Sequence, residues 1–140
     1  MADRTFALEI VTPDRMVVSD DTVTSLVAPG SEGYLGVLAN HAPLLVELKV
    51  GEVDVKRADD SESMIAVSGG FMEVGGNRAI ILADTAELAA EIDVPRAEEA
   101  KRRAQERLSR RSEPEVDSAR AESALVRALN RLHVAAHGRG

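Results

Sequence analysis

The chain has 140 residues, 44% of them hydrophobic, which is enough for one real core and for one domain or one domain plus an appendage. A formal net charge of −7, with only two phenylalanines, one tyrosine and no tryptophan, argues against nucleic acid, whose binding needs clustered cations and stacking rings. There is no cysteine, so disulfides and thiolate metal sites are excluded, and no apolar run approaches the roughly 20 residues needed to span a bilayer.

The N-terminus reads Met1-Ala2-Asp3-Arg4 without an apolar signal region, so a soluble, non-secreted chain is expected. Strand patterning follows. Phe6, Leu8 and Ile10 alternate with Ala7 and Glu9, and Val53 and Val55 alternate with Glu52, Asp54 and Lys56. Turn residues punctuate this region at Thr12-Pro13-Asp14, Asp20-Asp21, Pro29-Gly30, Lys49-Val50-Gly51, Asp59-Asp60, Gly69-Gly70 and Gly75-Gly76-Asn77. The spacing predicts about eight to ten short antiparallel strands in a small sandwich or barrel over residues 1–85.

From residue 86 to 140 the period becomes helical. Ala97, Ala100, Ala104 and Leu108 share one face of a first helix, with Asp93 at its N-cap, Pro95 in its first turn, and Ser112-Glu113-Pro114 closing it. A second helix is expected from about Glu115, its stripe running through Ala121, Leu125, Ala128, Leu129 and Leu132. So short a link predicts an antiparallel hairpin. An Ala-rich stripe removes little apolar area at roughly 25 cal/mol per Å², so the hairpin should dock weakly, as elements that move in a switch do.

Charge divides the halves too: residues 1–85 carry 14 acids and 6 bases, residues 101–140 carry 5 acids and 10 bases. The basic hairpin suits an acidic protein surface, a nucleotide phosphate, or simply a solvated helix face.

Catalytic motifs are thin. Gly30-Ser31-Glu32-Gly33-Tyr34-Leu35-Gly36 lacks the spacing of a phosphate-binding loop and reads as tight turns. His133 and His137 stand four apart without a third ligand, and His41 has no nucleophile motif beside it. Arg96 and Arg103, seven apart, project the same way near a helix N-terminus and Glu87; this arrangement suits an anion, or a capped helix with surface ion pairs.

Two blocks carry a family resemblance. Val27-Ala28-Pro29-Gly30-Ser31-Glu32-Gly33-Tyr34-Leu35-Gly36-Val37 with Asn40-His41-Ala42-Pro43-Leu44-Leu45, and Ser68-Gly69-Gly70-Phe71-Met72-Glu73-Val74 with Leu82-Ala83-Asp84-Thr85-Ala86, resemble the epsilon subunits of F-type ATP synthases. The similarity continues through Asp93-Val94-Pro95-Arg96-Ala97 and Ala124-Leu125-Val126-Arg127-Ala128-Leu129-Asn130-Arg131-Leu132.

The resemblance implies an α+β chain: an N-terminal ten-stranded antiparallel β-sandwich (1–85) that binds the gamma subunit and the c-ring, followed by a C-terminal antiparallel α-helical hairpin (86–140). It implies partner contacts at Ser31, Glu32, Tyr34, His41, Ala42 and Pro43. It also implies an arm that either folds down or extends along gamma toward the catalytic alpha/beta subunits, blocking ATP hydrolysis, with Arg110, Arg111, Arg127 and Arg131 as its inhibitory basic face. The family's ATP-sensing pattern is matched by Ile92, Asp93, Arg96 and Ala97, with further contacts at Glu87, Arg103, Arg127 and Arg131. Asp93 and Glu87 are then expected to receive donors of adenine or ribose, and Arg96 and Arg103 to lie near phosphates.

Tyr34 stands where some relatives carry an acid, and Ala39-Asn40 replaces a frequent Pro-Gly. No catalytic residue, metal or required cofactor is expected, only ATP as a regulatory ligand, and the implied place is the cytoplasmic side of a bacterial plasma membrane, peripheral through the complex. The rival reading is a free-standing adaptor whose basic arm recruits an acidic protein; co-purification with gamma separates the two.

Overall fold

In the computed structural model, which describes residues 4–138 and 140, Phe6, Leu8 and Ile10 are buried while Ala7 and Glu9 stay partly exposed, as a period of two requires. Seven strands form: β1 (Phe6–Val11), β2 (Met16–Gly30), β3 (Gly33–Leu38), β4 (Leu44–Arg57), β5 (Glu62–Gly75), β6 (Arg78–Ala83) and β7 (Ala86–Leu88). They are joined in the order β1-β6-β5-β4-β2-β3, β7 pairs with β5, and β1 also pairs with β2, which closes β1, β6, β5, β4 and β2 into a ring. The core inside it is aliphatic, with Leu8, Ile10, Leu26, Val53, Ile65, Met72 and Ile81 fully buried.

The β domain followed by a helical hairpin is as expected, but the strand count is seven rather than ten. β2, β4 and β5 run for 15, 14 and 14 residues, and three of the supposed turns, Asp20-Asp21, Lys49-Val50-Gly51 and Gly69-Gly70, fall inside them. These sites bend a strand without ending its ladder. Gly69 and Gly70 have φ of 103° and 127°, and a Cβ on Gly70 would strike the Leu82 carbonyl, so glycine lets β5 turn sharply while Leu48 still pairs Gly70 and Val50 still pairs Ser68. One pairing also departs from the antiparallel expectation, because β1 runs parallel to β6.

A 3-10 turn (Ala89–Glu91) leads to α1 (Val94–Ser109), whose N-cap Asp93 accepts the Arg96 N–H at 3.0 Å with Pro95 in the first turn. α2 (Ser118–His137) starts later than Glu115, because Asp117 caps it by accepting the Arg120 N–H at 3.0 Å. Ala97, Ala104, Ala121 and Ala128 are buried in the helix seam. Leu129, expected in that stripe, is 45% exposed. The hairpin lies folded on the sandwich: Val134 is fully buried in a small cluster with Ala66, Ala89 and Ile92, and Asn130 Nδ2 donates to the Gly51 carbonyl at 2.8 Å.

A candidate anion site between hairpin and sandwich

Where α1 and α2 meet β5 and β7, an open cleft of about 700 Å³ is left, because a seam of alanines fills little space. A helical repeat carries Arg96 and Arg103 to one face of α1, and Arg127 and Arg131 stand four apart on α2; all four line the cleft. The sandwich contributes Glu87 from β7, Asp84 and Thr85 from the loop before it, and Ser68 from β5.

The charges are unevenly matched. Arg131 is committed to Glu87 through Nε–Oε1 at 2.7 Å and Nη2–Oε2 at 3.1 Å, a two-pronged pair with both side chains less than a third exposed. Arg15, at the cleft's rim, donates to both Glu91 oxygens; those hydrogen bonds hold the Glu91 carboxyl below the usual carboxylate range against a small effect of burial. By contrast Arg96, Arg103 and Arg127 have no carboxylate within ion-pair distance among the described residues. Three cations thus share one concave space, with Asp14, Asp84 and Glu87 on its walls but none within ion-pair distance of them. Such an arrangement favours a polyanionic ligand, and a volume of this size suits a nucleotide.

Of the expected nucleotide residues, Glu87, Arg96, Arg103, Arg127 and Arg131 come together here. Ile92, Asp93 and Ala97 do not line the cleft: Ile92 packs with Val134, Ala97 is fully buried in the seam, and the Asp93 carboxylate already accepts the Arg96 N–H. These three residues start the helix and fix where Arg96 stands. Arg110 and Arg111 lie past the end of α1, beside Glu106 and Glu113 (Arg110) and Glu122 (Arg111), away from the cleft.

The expected partner residues occupy two exposed segments with different neighbours. Ser31 and Glu32 form the β2–β3 turn, the Ser31 N–H bonding the Glu47 carbonyl, while Tyr34, half exposed, accepts the Glu52 N–H at 3.2 Å. His41, Ala42 and Pro43 lie in the β3–β4 loop, next to Asn40, whose N–H reaches Asn77 Oδ1. The His41 ring turns inward to the Ala42 carbonyl at 2.6 Å.

Arg15, Asp84, Ser68, Thr85 and Asn130 line the cleft without having been singled out in the sequence as site residues. Ser68, Asp84 and Thr85 sit inside the second resemblance block, so a signal for them was present; Arg15 follows an ordinary turn and carries none.

Residues 5–89 match the family described as the ATP synthase, Delta/Epsilon chain, beta-sandwich domain, and residues 90–136 its long alpha-helix domain. The chain is 52% identical over 128 residues to the ATP synthase epsilon chain of Moorella thermoacetica, covering 91% of this chain and 94% of that one. It is 47% identical over 135 residues to that of Symbiobacterium thermophilum, covering 96% and 94%. In fold it is similar to a chain of the Euglena gracilis mitochondrial ATP synthase OSCP/F1/c-ring assembly, with a TM-score of 0.81 at 24% identity over 98% of this chain and 84% of that one.

Proposed function

Because the chain belongs to the epsilon family of F-type ATP synthase subunits, we propose that its hairpin is a regulatory arm whose folded position is set by an anion, ATP, bound in the arginine cleft. The chain is a subunit of the rotary complex and reaches the membrane through it; no helix among the described residues is long and apolar enough to cross. Within that complex the sandwich is the rotor-bound part, holding gamma and the c-ring with the 31–34 and 41–43 segments. It has no active site of its own, and it faces the cytoplasm of a bacterium.

The observation that carries this reading is the convergence of Arg96, Arg103 and Arg127, with no carboxylate within ion-pair distance among the described residues, from both helices onto a wall containing Glu87 and Asp84. Empty, the three guanidiniums repel one another and oppose close packing of α1 against α2. With a triphosphate between them they become a bridge, while Glu87 and Asp84 can accept donors of adenine or ribose. Lifting the arm separates these groups, so the ligand favours the folded arm by its differential affinity, and about 1–3 kcal/mol suffices for an alanine seam. The lifted arm would then offer Arg110, Arg111, Arg127 and Arg131 to an acidic surface of the catalytic head and block hydrolysis.

Titration calorimetry of the full chain with ATP tests the site. Arg96→Ala or Arg103→Ala should weaken binding by about tenfold or more, as loss of a charge-assisted hydrogen bond does. Arg102→Ala, on the same helix but paired with Glu99 outside the cleft, should not. Absence of heat at millimolar ATP would remove the proposal.

A further inference from the structure

At its far end α2 meets the sandwich at a second, chemically different place. His133, on the last turns of the helix, sets its Nε2 3.6 Å from Glu52 Oε1 of β4. The other oxygen of that carboxylate, Glu52 Oε2, is buried and has no hydrogen-bond partner among the described residues. Beside this pair a small pocket of about 270 Å³ is lined in part by Asp54 and Lys56 of β4, Glu62 of β5 and His137 of α2. The two imidazoles lie 4.6 Å apart, and the His137 Nδ1 is 3.1 Å from the His133 carbonyl.

We propose that His133 is a proton-operated latch of the arm: charged, it pairs with Glu52 and holds α2 on the sandwich; neutral, it leaves the Glu52 carboxylate without that cation and lets the arm lift. The inference rests on the two-position arm proposed above, but on residues that do not line the arginine cleft. Histidine is the side chain whose charge ordinarily changes between about pH 5 and 8, so a half-exposed imidazole against an acidic wall is a switch in the physiological range. Burial, then Glu52 and Glu62, push the Asp54 carboxyl above its usual range, with His133 pulling the other way. A cation here also meets the negative end of the α2 dipole.

Protonation thus favours the folded arm at low pH, and its contribution is lost as pH rises through the titration of the imidazole. The chain has no cysteine, so nitroxide labels at Glu73→Cys on β5 and Glu98→Cys on α1 report the distance between sandwich and arm in the full-length protein without interference. From pH 6 to pH 8 the ratio of folded to lifted arm should fall about two- to fivefold, the range of a solvent-exposed ion pair. His133→Gln should sit at the parent's high-pH ratio throughout, His133→Lys at its low-pH ratio, and Glu52→Gln should lose the pH response. A parent and a His133→Gln variant that respond alike to pH overturn the latch. Arg131→Ala separates the two ideas: if it lifts the arm while pH does not, the latch alone fails, and if neither moves the arm, the two-position reading fails with it.

Discussion

Arg131 and Asp20 show how far a single residue's role depends on a partner distant in sequence. Arg131 reaches Glu87, 44 residues away, and ties α2 to β7 by two hydrogen bonds in a half-buried setting. Truncating it to alanine should loosen the arm by about 1 kcal/mol, and hydrogen exchange at the Val134 amide should speed up while that at Ile81 stays as it was. Asp20 reads in the sequence as half of a turn doublet, yet the structure puts it in β2, where it accepts from the Thr22 N–H at 2.8 Å, the Thr22 hydroxyl and Arg57 Nε at 2.6 Å.

Burial raises the Asp20 carboxyl, but the Thr22 and Arg57 bonds together outweigh it and hold the group below 3.8. A lowered native value means that stability is present above the unfolded value and is lost as pH falls through the native one. Acid unfolding below about pH 4 should therefore be less steep in Asp20→Asn than in the parent, as followed by circular dichroism. Nothing near Asp20 in sequence announces Arg57, which is why the pair was not legible.

Among the elements, the helices were the most readable and the strand breaks the least. Asp93 and Pro95 mark the start of α1 by local chemistry, which needs no tertiary partner. Asp117 does the same for α2, but Pro114 just upstream is the stronger stop signal and draws the expected start to Glu115. Replacing Asp117 by alanine should cost about 1 kcal/mol and fray the first turn of α2, visible as lost exchange protection near Ala121. Sequence punctuation divides β2, β4 and β5, because a glycine pair, a lone glycine or an acid doublet looks alike whether a strand bends or ends. Only the register across the ladder distinguishes these. Leu129 was placed in the seam on spacing alone, whereas the helix turns Ala128 inward and leaves Leu129 exposed.

For the molecule as a whole, the division of labour proposed from charge and period can be checked directly. A fragment of residues 1–91 should fold alone and bind gamma, since the principal core lies entirely within the sandwich and β7 completes its pairing with β5 past residue 85. Failure of that fragment to co-purify with gamma would tie rotor binding to the helices instead. Replacing Arg110, Arg111, Arg127 and Arg131 by alanine should relieve inhibition of ATP hydrolysis in the reconstituted enzyme. The first two are held by exposed pairs to Glu106, Glu113 and Glu122, which an acidic surface can replace at little cost, and Arg111 also donates to the Leu108 carbonyl. Inhibition equal to the parent's would show that charge is not how the arm acts. The cleft itself was half legible: its arginines share helical faces, but its acidic wall comes from β7 and the loop before it, whose position only the closed sheet determines.

The parallel β1–β6 ladder has a mechanical consequence. By pairing with β6 on one side and β2 on the other, β1 turns a curved sheet into a closed ring. A closed ring resists torsion in a way an open sheet does not, because twisting it must shear every ladder at once rather than splay one edge. The hairpin, held by a few polar ties and one small apolar cluster, is compliant by comparison. A rotary complex that passed load through the sandwich would therefore meet a stiff body carrying a soft appendage, and the arm movement proposed above would leave that ring undisturbed.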